Sequence, residues 1–186
     1  MRIEKLRKNY DIVVNLVHFP LHAETPAEGI PLEKLFAGSS AAERAARQTR
    51  MKGLMDAEGL PYGERTHTYN SRLAQELGKW ATTKTDSWDI HNALFKAYFV
   101  EGRNVGDLET LVKIAESVGL PGDEAREVLT KRTFEKAVDH DWSMSRQSGV
   151  TGVPTFAAGG YGVVGAQPYE VIEKLVTEAG AKQRSA

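Results

Sequence analysis

A chain of 186 residues, 41% hydrophobic and 26% charged, is long enough to bury one good core and need not be divided. Its net charge of -1 argues against a nucleic-acid or membrane partner, since either surface would normally carry a basic excess. No cysteine is present, so disulfides, thiolate catalysis and cysteine metal sites lie outside the chain's own chemistry. No apolar run reaches the length of a membrane span. The basic residues 1–8 lead into a strand-like segment instead of an apolar signal core, so the expected location is cytoplasmic.

In chain order, Ile3 and Leu6 followed by Arg7-Lys8 read as the last turns of a helix. The β-branched run from Asp11 to Phe19 predicts a strand buried on both faces, in a parallel-type neighbourhood. Pro20, Pro26 and Pro31 predict irregular chain to Phe36, and Ser40 with Glu43 forms a capping box. Helical patterns follow with no strand between them. Ala42, Ala45, Ala46, Leu54 and Met55 define one ending near Gly59; Leu73, Leu77, Trp80 and Ala81 a second; Leu94, Phe95, Tyr98 and Phe99 a third. Leu108, Leu111, Val112, Ala115 and Val118 make a fourth between Asp107 and Gly119, and a long fifth runs from about Asp123 to Gln147.

After this block Gly149 to Gly165 encode a hairpin, with strands at Thr155 to Ala158 and Tyr161 to Val164 around a Gly159-Gly160 turn. Pro154 stands at the strand entrance, where a missing N–H is tolerated and an X-Pro bond gives up only about 0.5–1 kcal/mol to be cis. A cis Val153-Pro154 bond would turn the amide and carbonyl of Val153 outward as an edge for an extended ligand. Pro168 opens a final helix through Val171, Ile172, Leu175 and Val176, and the small polar tail from Gly180 is expected to fray.

Other chemistry-bearing residues read as structural. Pro20 between His18 and His22 prevents the helix that would bring both rings to one face. His67, His91 and His140 stand alone, so no metal site is expected. Ser39-Ser40 lacks a base and reads as a cap. Trp80, Trp88 and Trp142 fall on helical faces and read as core, and Asp139-His140-Asp141 as solvated charge near a helix end.

The hairpin with its continuation Gly165-Ala166-Gln167-Pro168 resembles the C-terminal half of the DsbA-like thioredoxin-fold family. The helices with Asn-Ala-Leu-Phe-Lys-Ala-Tyr-Phe at 92–99, and from His67 to Ala81, resemble its helical insertion. The pattern is similar to the cytoplasmic DsbA-like oxidoreductase branch and close to the kappa-class glutathione transferase and 2-hydroxychromene-2-carboxylate isomerase branch. The resemblance implies an α/β fold: a thioredoxin-like sheet from residues 1–36 and 149–182, discontinuous in sequence, and an all-helical insertion over 37–148. It implies that Val153, Pro154 and Thr155 hold a thiol or disulfide peptide, or a small-molecule substrate. In the isomerase branch, Val153, Ala166 and Gln167 would hold glutathione.

In that family a first, central strand leads into Cys-x-x-Cys, or a serine equivalent, at the start of the first helix. The segment Met1-Arg2-Ile3-Glu4-Lys5-Leu6 matches the residues just after that motif, so no catalytic residue is expected in this chain. The central strand would pair with residues 12–18 on one side and 155–158 on the other. Without it, buried amides and carbonyls would stand unpaired at about 1–3 kcal/mol each. An upstream segment cut off by an internal start, a strand donated by another copy in a homo-oligomer, or direct pairing across the gap would each fill it. Three functions stay open: a thiol-disulfide oxidoreductase, truncated and redox-inactive as written; a glutathione-dependent isomerase or transferase; and a non-enzymatic subunit that accepts a strand by β-addition.

Overall fold

The computed structural model describes residues 2–85 and 88–185; Met1, the first residue of the segment matched to the family's first helix, lies outside them. In chain order the elements are α1 (Arg2–Asn9), β1 (Tyr10–Asp11), β2 (Ile30–Pro31), α2 (Leu32–Leu35), α3 (Ala41–Ala57), β3 (His67–Thr68), α4 (Arg72–Thr82) and α5 (Asp89–Phe99). Then come α6 (Leu108–Ser117), α7 (Gly122–Thr130), α8 (Glu135–Gln147), β4 (Thr155–Ala158), β5 (Tyr161–Val164), α9 (Tyr169–Glu178) and β6 (Lys182–Gln183). Strands pair antiparallel in twos, β1 with β6, β2 with β3 and β4 with β5. The chain forms two compact units, residues 1–21 with 140–186, and residues 22–139, where the sequence reading divides it after residues 36 and 148.

The larger unit is a helical core. Apolar residues at spacings of three and four bring Leu77, Trp80, Ala81, Ile90, Leu94, Leu111, Ile114, Ala115 and Leu129 together from α4, α5, α6 and α7. The caps fall where the sequence marks them. The Asp107 carboxylate accepts from the Thr110 amide at 2.8 Å, Gly119 follows α6 at φ +80°, and Ser40 and Glu43 bond reciprocally at the start of α3.

Glu76 lies in the middle of this unit, 1% exposed. Arg132 grips it with two donors, at 2.8 and 2.6 Å, and Arg72 with a third at 3.0 Å. The other end of Arg72 reaches Asp139 at 2.7 Å and the Glu135 carbonyl at 2.8 Å. A carboxylate this deep is tolerated because its oxygens are filled by charged donors.

Several expected elements take another form. The run from Asp11 to Phe19 is a strand only at its first residue; beyond it the chain is irregular, and Val13, Leu16 and Val17 are exposed. Among the described residues no strand lies beside 12–19, so an extended conformation there gains no ladder. The predicted helix from Asp123 to Gln147 breaks at residues 131–134, where Arg132 takes φ +54° to reach Glu76. The irregular stretch to Phe36 contains β2 and α2, His67 lies in β3 and not in a helix, and the tail from Gly180 is tied down as β6. There the Arg184 amide donates to the Asn9 carbonyl at 2.8 Å and its side chain to the Tyr10 carbonyl at 3.0 Å.

α3 forms where predicted but buries none of its residues, with Met51 44% and Leu54 54% exposed. At 3.6 residues per turn the nine positions from Ala42 to Met51 sweep about 900°, which sets the two apolar groups on nearly opposite sides. Neither side makes a face broad enough to pack.

Two measurements check this account. Arg132→Ala leaves the buried Glu76 short of two donors and should lower the unfolding free energy by about 1–3 kcal/mol. Arg132→Gly should cost roughly 1 kcal/mol less, because glycine accepts a left-handed backbone without strain; equal losses in denaturant titration would contradict the backbone part. For α3, bonds from the Ser40 backbone amide and hydroxyl hold the Glu43 carboxyl below its ordinary range. Its stabilisation is therefore complete above the unfolded carboxylate pKa and is lost as pH falls through the lower folded value. Amide protection at Glu43 should fall in that acid window in the native chain and stay flat in Glu43→Gln.

Candidate functional site

The hairpin folds from its turn outward. Gly159 and Gly160 sit at φ +58° and +84°, the pair of positive values that a two-residue turn between right-twisted strands requires. A Cβ on Gly159 would lie 2.8 Å from that of Ala179, so the turn is seated on the end of α9. Pairing Thr155 with Val164 and Phe156 with Val163 gives the two strands one shared inner face. Phe156 there packs against the buried Leu6, Tyr10 and Ile172.

The proline loop is fixed at both sides. The Val153–Pro154 peptide is cis. The Thr155 hydroxyl donates to the Gly152 carbonyl at 2.7 Å, and the Gly165 amide donates to the Pro154 carbonyl at 2.7 Å. That last bond sets the loop against the Gly165–Gln167 turn, with Val153 and Ala166 each one residue beyond it. Val153 is half-exposed, and among the described residues its amide and carbonyl make no hydrogen bond. Val153, Pro154 and Thr155 thus stand at one open edge.

The neighbouring turn is used differently. The Gln167 amide donates to the Gly165 carbonyl at 2.8 Å and its side-chain nitrogen to the Val164 carbonyl at 2.6 Å. The Arg2 guanidinium, from α1, donates to the carbonyls of Ala166 at 3.1 Å and Gln167 at 2.7 Å. Of the residues suggested for glutathione, Val153 and Ala166 are exposed, while the backbone and side-chain N–H donors of Gln167 are used within the turn and its carbonyl is held by Arg2.

α1 anchors this edge through polar contacts as well. Asn9 donates to the Tyr169 hydroxyl at 3.0 Å, Tyr10 donates to the Glu173 carboxylate at 3.1 Å, and the Lys5 ammonium lies 4.0 Å from the Tyr169 ring centre. Burial raises the Tyr10 hydroxyl above the ordinary phenol range, and Glu173 adds to it; burial does the same for Tyr169, with Asn9 opposing. None of these partners is visible in the sequence, because each pair is separated by about 160 residues.

Elsewhere, Asp141 is not solvated charge: it is 2% exposed and accepts from the His18 amide at 2.9 Å. Trp80 is core, while Trp88 and Trp142 are half-buried. Burial lowers the His91 pKa below the usual imidazole value, and the charge of Lys79 adds to the effect. Among the described residues no three His, Cys, Asp or Glu side chains gather as a metal ion would need.

A strand pair entered through a proline loop, a glycine turn into a closing helix, and a large helical unit inserted before them define a thioredoxin-like fold of the DsbA type. Residues 1–177 match the DSBA-like thioredoxin domain, and the chain belongs to that family. It is 31% identical over 121 residues to the uncharacterized protein YwbO of Bacillus subtilis (strain 168). That alignment covers 63% of this chain but 58% of YwbO, so the chain spans less than two thirds of this relative. The crystal structure of the probable DsbA oxidoreductase SCO1869 from Streptomyces coelicolor superposes with a TM-score of 0.76 at 29% identity, over 86% of this chain and 72% of that one. A second solved chain, from Nitrosomonas europaea, shares the fold at a TM-score of 0.59 and 16% identity, over 75% of this chain and 74% of its own.

Removing the Arg2 guanidinium should loosen the turn that carries Ala166. In Arg2→Ala, hydrogen exchange at the Gly165 and Gln167 amides should speed up several-fold, as expected for bonds contributing about 0.5–1.5 kcal/mol. Unchanged exchange would mean that the turn holds without α1.

Proposed function

We propose that this chain is the substrate-holding part of a DsbA-type thiol-disulfide oxidoreductase, working in the cytoplasm and binding an extended thiol or disulfide peptide at Val153, Pro154 and Thr155. The observation that carries this reading is the open main chain of Val153 beside β4. One amide and one carbonyl, fixed by the bonds of Pro154 and Thr155 on either side, offer the donor and acceptor that a strand-like peptide pairs with. In the family's chemistry a low-pKa thiolate at a helix N-terminus attacks the bound disulfide. With no cysteine, the 186-residue chain brings no thiol of its own, and its role is to bind.

A second reading, β-addition by a non-enzymatic subunit, rests on the free edge of β4 and the exposed Val13, Leu16 and Val17. It differs in its consequence for size. A strand-exchanged assembly runs as an oligomer, whereas the peptide-holding role needs none. The glutathione reading is the weaker alternative, since the N–H donors of Gln167 are already bonded within the turn.

Insulin reduction by the 186-residue chain should stay at background, and turnover above it would overturn the binding-only role. A peptide carrying a cysteine in mixed disulfide with a small thiol should shift the Val153 amide signal. The same peptide N-methylated at its central residue should bind about tenfold more weakly, the equivalent of roughly 1.4 kcal/mol. Saturable glutathione binding by calorimetry, with no peptide effect at Val153, would replace this reading with the isomerase-type one.

A further inference from the structure

In the helical unit, the guanidinium of Arg65 lies 4.7 Å from the ring centre of Tyr98 and 5.0 Å from that of Phe99. Its Nε is buried with no acceptor, and among the described residues the side chain makes no ion pair or hydrogen bond. Three other arginines of this unit are matched to carboxylates, Arg72 to Glu76 and Asp139, Arg126 to Glu109 and Arg132 to Glu76, while Arg44 and Arg47, on the exposed α3, meet the Ser39 carbonyl and the Phe36 ring. Glu64, next in sequence, forms no pair with Arg65, and Glu101 is taken by Lys96 and Arg103.

The loop that carries Arg65 is held in place. The Gly63 amide donates to the Phe99 carbonyl at 3.0 Å, and the Thr66 carbonyl accepts from Leu32 at 2.9 Å. A Cβ on Gly63 would fall 2.0 Å from the Val100 carbonyl oxygen, so the loop backbone rests directly on the end of α5. One turn before Phe99 on α5, Phe95 is 61% exposed and its ring centre lies 6.1 Å from that of Phe99. A positioned planar cation without a counter-ion therefore adjoins an apolar shelf that water covers unfavourably.

We propose that Arg65 binds the carboxylate of a small organic monocarboxylate whose apolar body lies on Phe95 and Phe99. One guanidinium fork matches one carboxylate in geometry and charge. A phosphate dianion would find a single positive charge here, with neutral rings for its other neighbours. The site lies wholly within residues 22–139 and does not depend on the peptide-holding role of the proline loop.

Benzoate is the probe, titrated into the full 186-residue chain while side-chain and backbone NMR signals are followed. Benzoate should saturably shift the Arg65 side-chain signals and those of Phe95 and Phe99. Benzyl alcohol, the same ring without the charge, should bind at least tenfold more weakly, and so should inorganic phosphate. Arg65→Gln should abolish the benzoate response. Arg65→Lys, which keeps the charge and loses the fork, should weaken it about tenfold with helicity unchanged, and Phe95→Ala several-fold. Equal binding of benzyl alcohol, phosphate binding as tight as benzoate, or full affinity in Arg65→Lys would each overturn the proposal. The comparison of the three ligands on the unaltered chain decides it even if a variant fails to fold.

Discussion

Three buried side chains, Leu6, Tyr10 and Ile172, hold the unit that carries the proline loop. They come from α1, β1 and α9, and everything at the candidate edge is referred to them. Phe156 sets the inner face of the hairpin by packing on this cluster, and Ile12 joins it from just after β1. The Arg2 guanidinium, the Asn9 side-chain amide and the Tyr10 hydroxyl then fix the rotation of α1 on α9. So small a cluster cannot supply much burial energy, at roughly 1.5–3 kcal/mol per large side chain. The polar ties around it consequently matter more here than in the helical unit.

That helical unit solves the opposite problem. It has apolar burial in plenty and spends some of its interior on Glu76. The arginines that satisfy this carboxylate reach it from the start of α4 and from the break between α7 and α8. The cluster thereby specifies where one long helical pattern must become two. A hydrophobic residue at Glu76 would pack there too, but it would give residues 131–134 no reason to leave the helix.

What could be read from the chain alone follows from this contrast. Short-range signals were sufficient wherever the structure is locally determined. The Gly159-Gly160 turn, the Ser40 and Asp107 caps, the Gly119 stop and the Pro168 start each contain their own reason. Long-range partners were not legible. Nothing near Arg132 in sequence announces Glu76, and no glycine or proline marks that break. The Val-rich run after Asp11 has the composition of a buried strand, yet composition cannot supply a neighbour, and the chain there stays irregular. The tail from Gly180 reads as frayed because the partner of its strand, Tyr10–Asp11, lies at the other end of the chain. At the candidate site, the proline loop and the strand that follows it from Thr155 were legible in the proline and glycine pattern. Arg2 and Arg65 were not, since their importance comes only from what the fold brings beside them.

The helix from Ala41 to Ala57 carries a different lesson. Seventeen residues with a good cap but no packed face amount to little more than a free peptide, near the margin at which isolated helices persist in water. Such a segment opens by itself long before the core around Leu77 yields. A protease should find its first cut there, and a foreign sequence spliced into it should leave the remainder of the fold undisturbed.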